Sequence, residues 1–322
     1  MIDSPYAQWQ PGCGIAPGAI ARMREYSTMP RKLMGEAWFM SEERRLYPEL
    51  ADVGAVLDLD IVDLTDIIDE ISSGISCFGP LEEWRDWFRF LLPDLIVRCR
   101  EDGYFNTFAL QSIITAFMAV YWDEIPEEYP GFREDIKRSL FQALMEDALW
   151  DSSGRPIFLL EYENGVGDLV LGWNQGKADG NVSAMMMFGI KTLHPDEIPE
   201  WTRSIVAIED IHWRGNFLLW LLGAYDQLQT GDVNPANFKK FTPYIYWDGT
   251  ASLNSEKRYS DSGRHPFLSN KNISVFLQEI DNLITYDVLV EWANSFEKEY
   301  LVSLSTNGVP DALHNKMTAY RE

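Results

Sequence analysis

The run Tyr104–Trp122, YFNTFALQSIITAFMAVYW, carries no charged side chain. A stretch this apolar has two homes, a bilayer or the middle of a protein core. Asn106, Thr107, Gln111, Ser112 and Thr115 interrupt it, acids flank it on both sides, and no Lys/Arg bias marks either flank. These features predict a central buried helix, which the rest of the chain must cover.

The material for that cover is present. In 322 residues the chain is 46% hydrophobic and holds 12 Trp, 14 Tyr and 17 Phe, enough for one extended domain or two compact ones. Rings on this scale need large packed interfaces between elements. The apolar residues also keep helical time. Leu57, Ile61, Leu64, Ile68 and Ile71 draw one stripe, and Leu81, Trp84, Phe88, Leu91 and Leu95 draw another. Gly79 and Pro80 start the second helix, Glu82 and Glu83 suit its positive end, and Arg98 and Arg100 suit its negative end. Pro93 removes an amide hydrogen and is expected to bend or break it near Leu92.

Further helices are expected at Ala19–Tyr26, at Asn106–Trp122 with Asn106 as cap, and at Phe132–Trp150 along Ile136, Leu140, Leu144 and Ala148. In the last of these Glu134 can pair with Arg138 one turn on. Helical pattern returns at Trp201–His212, at Phe217–Leu228 with Asn216 as cap, at Ile273–Leu283 and at Tyr286–Leu304.

Five segments follow: an arm over 1–35, a helical region over 36–150, a Gly-rich insertion or linker over 151–200, a second helical region over 201–304, and a frayed tail over 305–322. PIFLLEY and DLVLGW within 151–200 read as short strands of a small β-hairpin. Residues 242–272 form a polar stretch too long for an ordinary connection, and so a functional or a disordered loop. The fold class expected is mostly α, with antiparallel helical pairs stacked as a solenoid or an irregular bundle.

The segment Phe90–Phe117, FLLPDLIVRCREDGYFNTFALQSIITAF, resembles one unit of a HEAT-type helical repeat. The likeness rests on Pro93, Asp102 and the apolar spacing, and covers about a tenth of the chain. It implies a scaffold that binds other proteins and carries over no catalytic residue.

Charge narrows the function further. Fifty Asp and Glu face 27 Lys and Arg, a formal net charge of -23. Such a surface repels phosphate backbones and anionic membranes and attracts basic proteins. Residues 51–150 alone hold 21 acids against 7 bases, so -14 of the total lies there. Asp63, Asp66 and Glu70, with Asp60 and Asp69 beside them, line the helix face opposite the Leu57–Ile71 stripe and form the predicted partner-binding strip. Cys13, Cys77 and Cys99 are too few and too scattered for a disulfide framework or a zinc site. With an opening, MIDSPYAQWQPGCG, that has neither basic nor apolar signal regions, they point to the cytoplasm.

Glu209 and His212 stand as ExxH, yet a di-iron bundle needs a second such pair, and Asp311 with His314 is a poor substitute. Cys13 on the turn PGCGIAPG lacks an identifiable base. GVGDLVLGW, Gly165–Trp173, has no third glycine and no GK[ST], so phosphate cradling is not expected. A glycosidase-like, carboxylate-driven hydrolase would need two acids in an aromatic-lined cleft, for which Tyr244–Gly249, YIYWDG, is the first place to look. The leading expectation is an acidic protein-interaction module, concretely an immunity or inhibitor protein covering the active site of a basic toxin or nuclease. No catalytic residue, metal or cofactor is assigned. The hydrolase is the alternative, and a subunit of a larger assembly a third reading.

Overall fold

The described chain is mostly helical. The computed structural model describes residues 8–30, 59, 68, 81–101, 109–154, 156, 161–162, 165–166, 178–240, 245–247, 249–253, 266–299, 302–303 and 306–321. Its α-helices are α1 Pro17–Tyr26, α2 Leu81–Glu101, α3 Ala109–Val120, α4 Phe132–Arg138, α5 Gly180–Thr192, α6 Ile198–Ala207, α7 Ile211–Thr230, α8 Asn270–Leu283, α9 Tyr286–Phe296 and α10 Val309–Ala319. Short 3₁₀ turns occupy Leu140–Met145, Asp147–Leu149, Pro235–Lys240 and Thr250–Leu253. Glu161–Tyr162 (β1) and Gly165–Val166 (β2) pair antiparallel, Glu161 opposite Val166 and Tyr162 opposite Gly165.

Helix α5 is the axis of the core, buried at every position from Gly180 to Ile190. Against it pack α3, α7, α8 and the turn Leu140–Met145. Helix α3, buried from Leu110 through Val120, lies between α2 and α5, so the uncharged run is inside the protein over Leu110–Trp122. No described helix is long and apolar enough to cross a membrane. Other contacts join elements far apart in sequence, α6 to α8 and α7 to α10.

Caps set the helix starts. Asp179 accepts from the amides of Asn181 and Val182 to begin α5, Asp210 from Trp213 to begin α7, and Ser269 from Asn272 to begin α8. The Asn272 side chain donates back to the carbonyls of Ile190 and Leu193, tying α8 to the end of α5. Gly189 lets α6 close on α5, because a Cβ there would lie 2.4 Å from the Trp201 ring.

Several expectations need correcting. Helix α2 runs through Pro93 without ending, and Pro93 is buried among Leu91, Leu92, Leu95 and Ile96. The single helix expected over Phe132–Trp150 breaks at Ser139 (φ -120°, ψ -84°) and goes on as 3₁₀ turns. There the Ser139 hydroxyl donates to the Asp135 carbonyl at 2.5 Å, and all six residues of Leu140–Met145 are buried. Tertiary burial on every side, which no single stripe predicts, overrides the helical period. The helix expected at Trp201–His212 is two: α6 stops at Ala207, and His212 belongs to α7. Asn216 is no cap but a buried interior residue of α7. Within 151–200 lies α5, and within 305–322 lies α10, whose Val309, Leu313 and Met317 are buried. The last helix expected to reach Leu304 ends at Phe296.

Candidate functional site

The N-terminal segment lines a surface groove. Trp9 is 1% exposed and meets Trp201 and Trp213 edge-on, with ring centroids 5.4 and 6.0 Å away, and Phe141 at 5.4 Å. Its indole N–H donates to the Phe141 carbonyl at 3.2 Å, and its backbone amide to the Ser204 hydroxyl at 2.9 Å. Beyond it the chain turns at Gly12 (φ 82°), and the amides of Gly12 and Gly14 both donate to the Met145 carbonyl. The Ile15 amide donates to Glu146 Oε2 at 2.7 Å. A Cβ on Gly14 would fall 2.4 Å from the Glu146 Cα, so this close approach accepts only glycine. PGCG is therefore a docking strap. Cys13 points outward from it, exposed, with Sγ 3.5 Å from Gln10 Oε1.

Between this strap and α6 runs a groove of about 1240 Å³. Gln8, Trp9, Gln10 and Pro11 of the strap, Ser153 and Gly154, and Glu200, Arg203, Ser204 and Ala207 of α6 line it. Ile208, Glu209 and Asp210, in the connection from α6 to α7, complete the lining. Helix α6 puts that polar face forward because Ile198, Trp201, Thr202 and Ile205 are its buried face. Arg203 bonds Glu279 at 2.8 Å, so it is already engaged by an acid outside the groove. Gln8 donates to Glu200, and Asp210 is occupied as the α7 cap. Glu209 is exposed.

A second polar concentration is internal. Asn181 Oδ1 accepts from the Gln111 amide at 3.0 Å in the first turn of α3, and Asn216 Oδ1 accepts from the Asp179 amide at 2.7 Å. The Asn216 side-chain amide donates to the His212 carbonyl at 3.1 Å. Asp179, held between these elements, has its carboxyl pushed up by burial from 3.8 to about 6, against the lowering effect of the two amides it caps. Nearby, the Trp247 indole donates to Thr115 Oγ1 at 2.9 Å. Gln111, Asn181 and Asn216 are buried and Asp179 is partly buried, so the cluster joins helix starts in the interior.

A smaller hollow of about 440 Å³ lies between α7, α8 and the end of α10. There Gln229 donates to the Tyr225 hydroxyl at 3.0 Å, and Arg321 pairs with Asp281 at 3.1 Å.

The residues singled out from sequence distribute as follows. Asp60, Asp63, Asp66, Asp69 and Glu70 lie outside the described residues; on the same segment Ile68 is fully buried, and the Leu59 carbonyl accepts from Arg98. Phe88 is fully buried, whereas the side chain of Trp84 is outside the description. Glu209 precedes the Asp210 cap and is exposed, while His212 is buried in the first turn of α7, so the ExxH spacing does not set the two on one helix. Among the described residues no group of three His, Cys, Asp or Glu is placed to hold a metal ion. In YIYWDG, Ile245 and Trp247 are buried, so at Trp247 the segment anchors a loop and lines no cleft. The groove itself was not foreseen. The period of Glu200, Arg203, Ser204 and Ala207 signals a polar helix face, but no pattern in residues 8–11 says that they line the same groove.

No protein-family model, curated protein or solved structure matches the chain.

Proposed function

We propose that the chain is an acidic helical interaction module for a basic protein, and most concretely an immunity or inhibitor protein that neutralises a basic toxin or nuclease by covering its active site. The observation that carries this reading is where the rings go. Trp9, Trp87, Trp122, Trp150, Trp201, Trp213, Trp220, Trp247 and Trp292, all the tryptophans with described burial, are buried. None is open to stack on a sugar or a base, as an aromatic-lined hydrolase cleft or a single-strand binder requires. Asp179, whose carboxyl burial pushes up to about 6, caps a helix and does not line the groove. What remains to act is the exterior, and a net charge of -23 makes it a surface for cations. The HEAT-like likeness of residues 90–117 supports the same reading, since stacked helical pairs are scaffolds for partners. A cytoplasmic site of action belongs to this proposal.

The test is capture of the partner from the native host at low salt, followed by identification and assay. The expected result is a basic protein, released as salt screens the contact, whose enzymatic activity falls when the purified chain is added back. Recovery of no basic protein, or of one whose activity is untouched, overturns the inhibitor reading.

A further inference from the structure

We propose that the groove between the N-terminal strap and α6 is the docking surface for an extended segment of the basic partner that carries two arginine or lysine side chains. The inference rests on the reading above and gives that reading a place in the molecule. Three features of the groove select this occupant.

The first is shape. The groove follows α6 from its first turn at Glu200 past its end at Ala207, about 10 Å at the helical rise, before it reaches Glu209. That length suits an extended chain, in which residues four apart are separated by about 13 Å.

The second is the placement of charge. Glu200, which also accepts from Gln8, lies toward the start of α6 and Glu209 lies beyond its end beside the α7 cap Asp210, while Arg203, the one cation among the described lining residues, is held by Glu279. Two separated acidic ends match two basic side chains better than one. The third is the floor. Pro11 and the exposed Ala207 contribute apolar surface between the ends, against which the aliphatic stems of arginine or lysine can lie while their heads reach the carboxylates. The strap that lines the groove is fixed beforehand by the Trp9 and Gly14 contacts, so binding need not order it.

The experiment uses the full chain and a fluorescent nonapeptide with arginines four residues apart in a glycine–serine background, beside a twin with neutral citrulline at both positions. Binding is read by anisotropy at about 20 mM and about 300 mM NaCl. The arginine peptide is expected to bind, the citrulline twin at least ~10-fold more weakly, and the higher salt to weaken the former. The double variant Glu200→Gln/Glu209→Gln should lose ~10-fold or more in affinity, the exposed single variant Glu209→Gln part of that, and Glu291→Gln, on the exposed face of α9 away from the groove, nothing. Unchanged thermal melts establish that each variant is folded. Arginine-dependent binding that survives in both groove variants overturns this inference and leaves the acidic-module reading intact. Failure of the chain to prefer the arginine peptide also overturns the groove assignment, and the partner capture then judges the wider reading separately.

Discussion

Asp179 shows how one residue can serve as a cap and still cost stability. Its carboxylate accepts two backbone amides at the start of α5, which favours the ionised form, yet burial outweighs them and raises the carboxyl from 3.8 to about 6. A raised folded value means that the native state holds the proton more tightly than the unfolded chain. The contribution is therefore fully present below about pH 4 and is lost as pH rises through 6. Asn caps as well as Asp and does not ionise. Asp179→Asn is expected to be more stable than the parent by about 1–3 kcal/mol above pH 6.5 and equal to it near pH 3.5. Urea unfolding across that range checks this, and parallel pH profiles for the two proteins would refute it. Nothing in the sequence marks this aspartate. Asp179-Gly180 reads there as one more polar turn in a glycine-rich stretch, because the desolvation comes from α3 and α7, which are remote in the chain.

At the scale of elements, sequence reading succeeds or fails with the apolar stripe. Periodicity reports a helix only when one face is wet and the other dry. Helix α1, α6 and the exposed flank of α9 obey that rule, and the Glu134–Arg138 pair forms at 3.1 Å as its spacing implies. Helix α5 breaks it: with Gly180 through Ile190 all buried there is no stripe to find, and Gly180 and Gly189 look like punctuation when they are sites of close approach. The closing helix α10 does carry a stripe, Val309, Leu313 and Met317 at a spacing of four, too short at three residues to stand out beside the polar end of the chain. Val309, Leu313 and Met317 face α7 and α9, while Lys316 reaches Asp226 and Arg321 reaches Asp281. A seam of this kind predicts that brief trypsin treatment leaves the bond after Lys316 intact in the native protein. Leu313→Asp, which forces a charge into the seam, should make that bond labile while the melt shows the remainder still folded; rapid cleavage of the parent at Lys316 would return the segment to a frayed end.

For the whole molecule the governing quantity is the charge of -23. Compaction brings those carboxylates together, and salt screens their repulsion over distances of about 10 Å at 0.1 M. The Tm is expected to climb by roughly 2–4 °C between low salt and about 0.5 M NaCl, the size of shift that ~1 kcal/mol produces in a chain of this class. A Tm that falls with salt would mean that ion pairs such as Lys137–Glu197 at 2.7 Å dominate the balance instead. The same screening weakens capture of a basic partner, so stability and binding should respond to salt with opposite sign.

Composition and periodicity alone determined that this chain is mostly helical, that its described tryptophans belong inside and that it is net acidic, since each depends only on how many apolar and charged groups there are and how they recur along a helix. Tertiary structure alone decided that residues 8–16 cross to lie against α6 and Glu146, that α5 is the axis, and that Glu200 and Glu209 line one groove. Those outcomes depend on which surfaces meet across a hundred residues or more of chain. Such a meeting is selected by the fit of whole faces, as where Gly14 meets Glu146 and Trp9 meets Trp201, and leaves no local pattern to read.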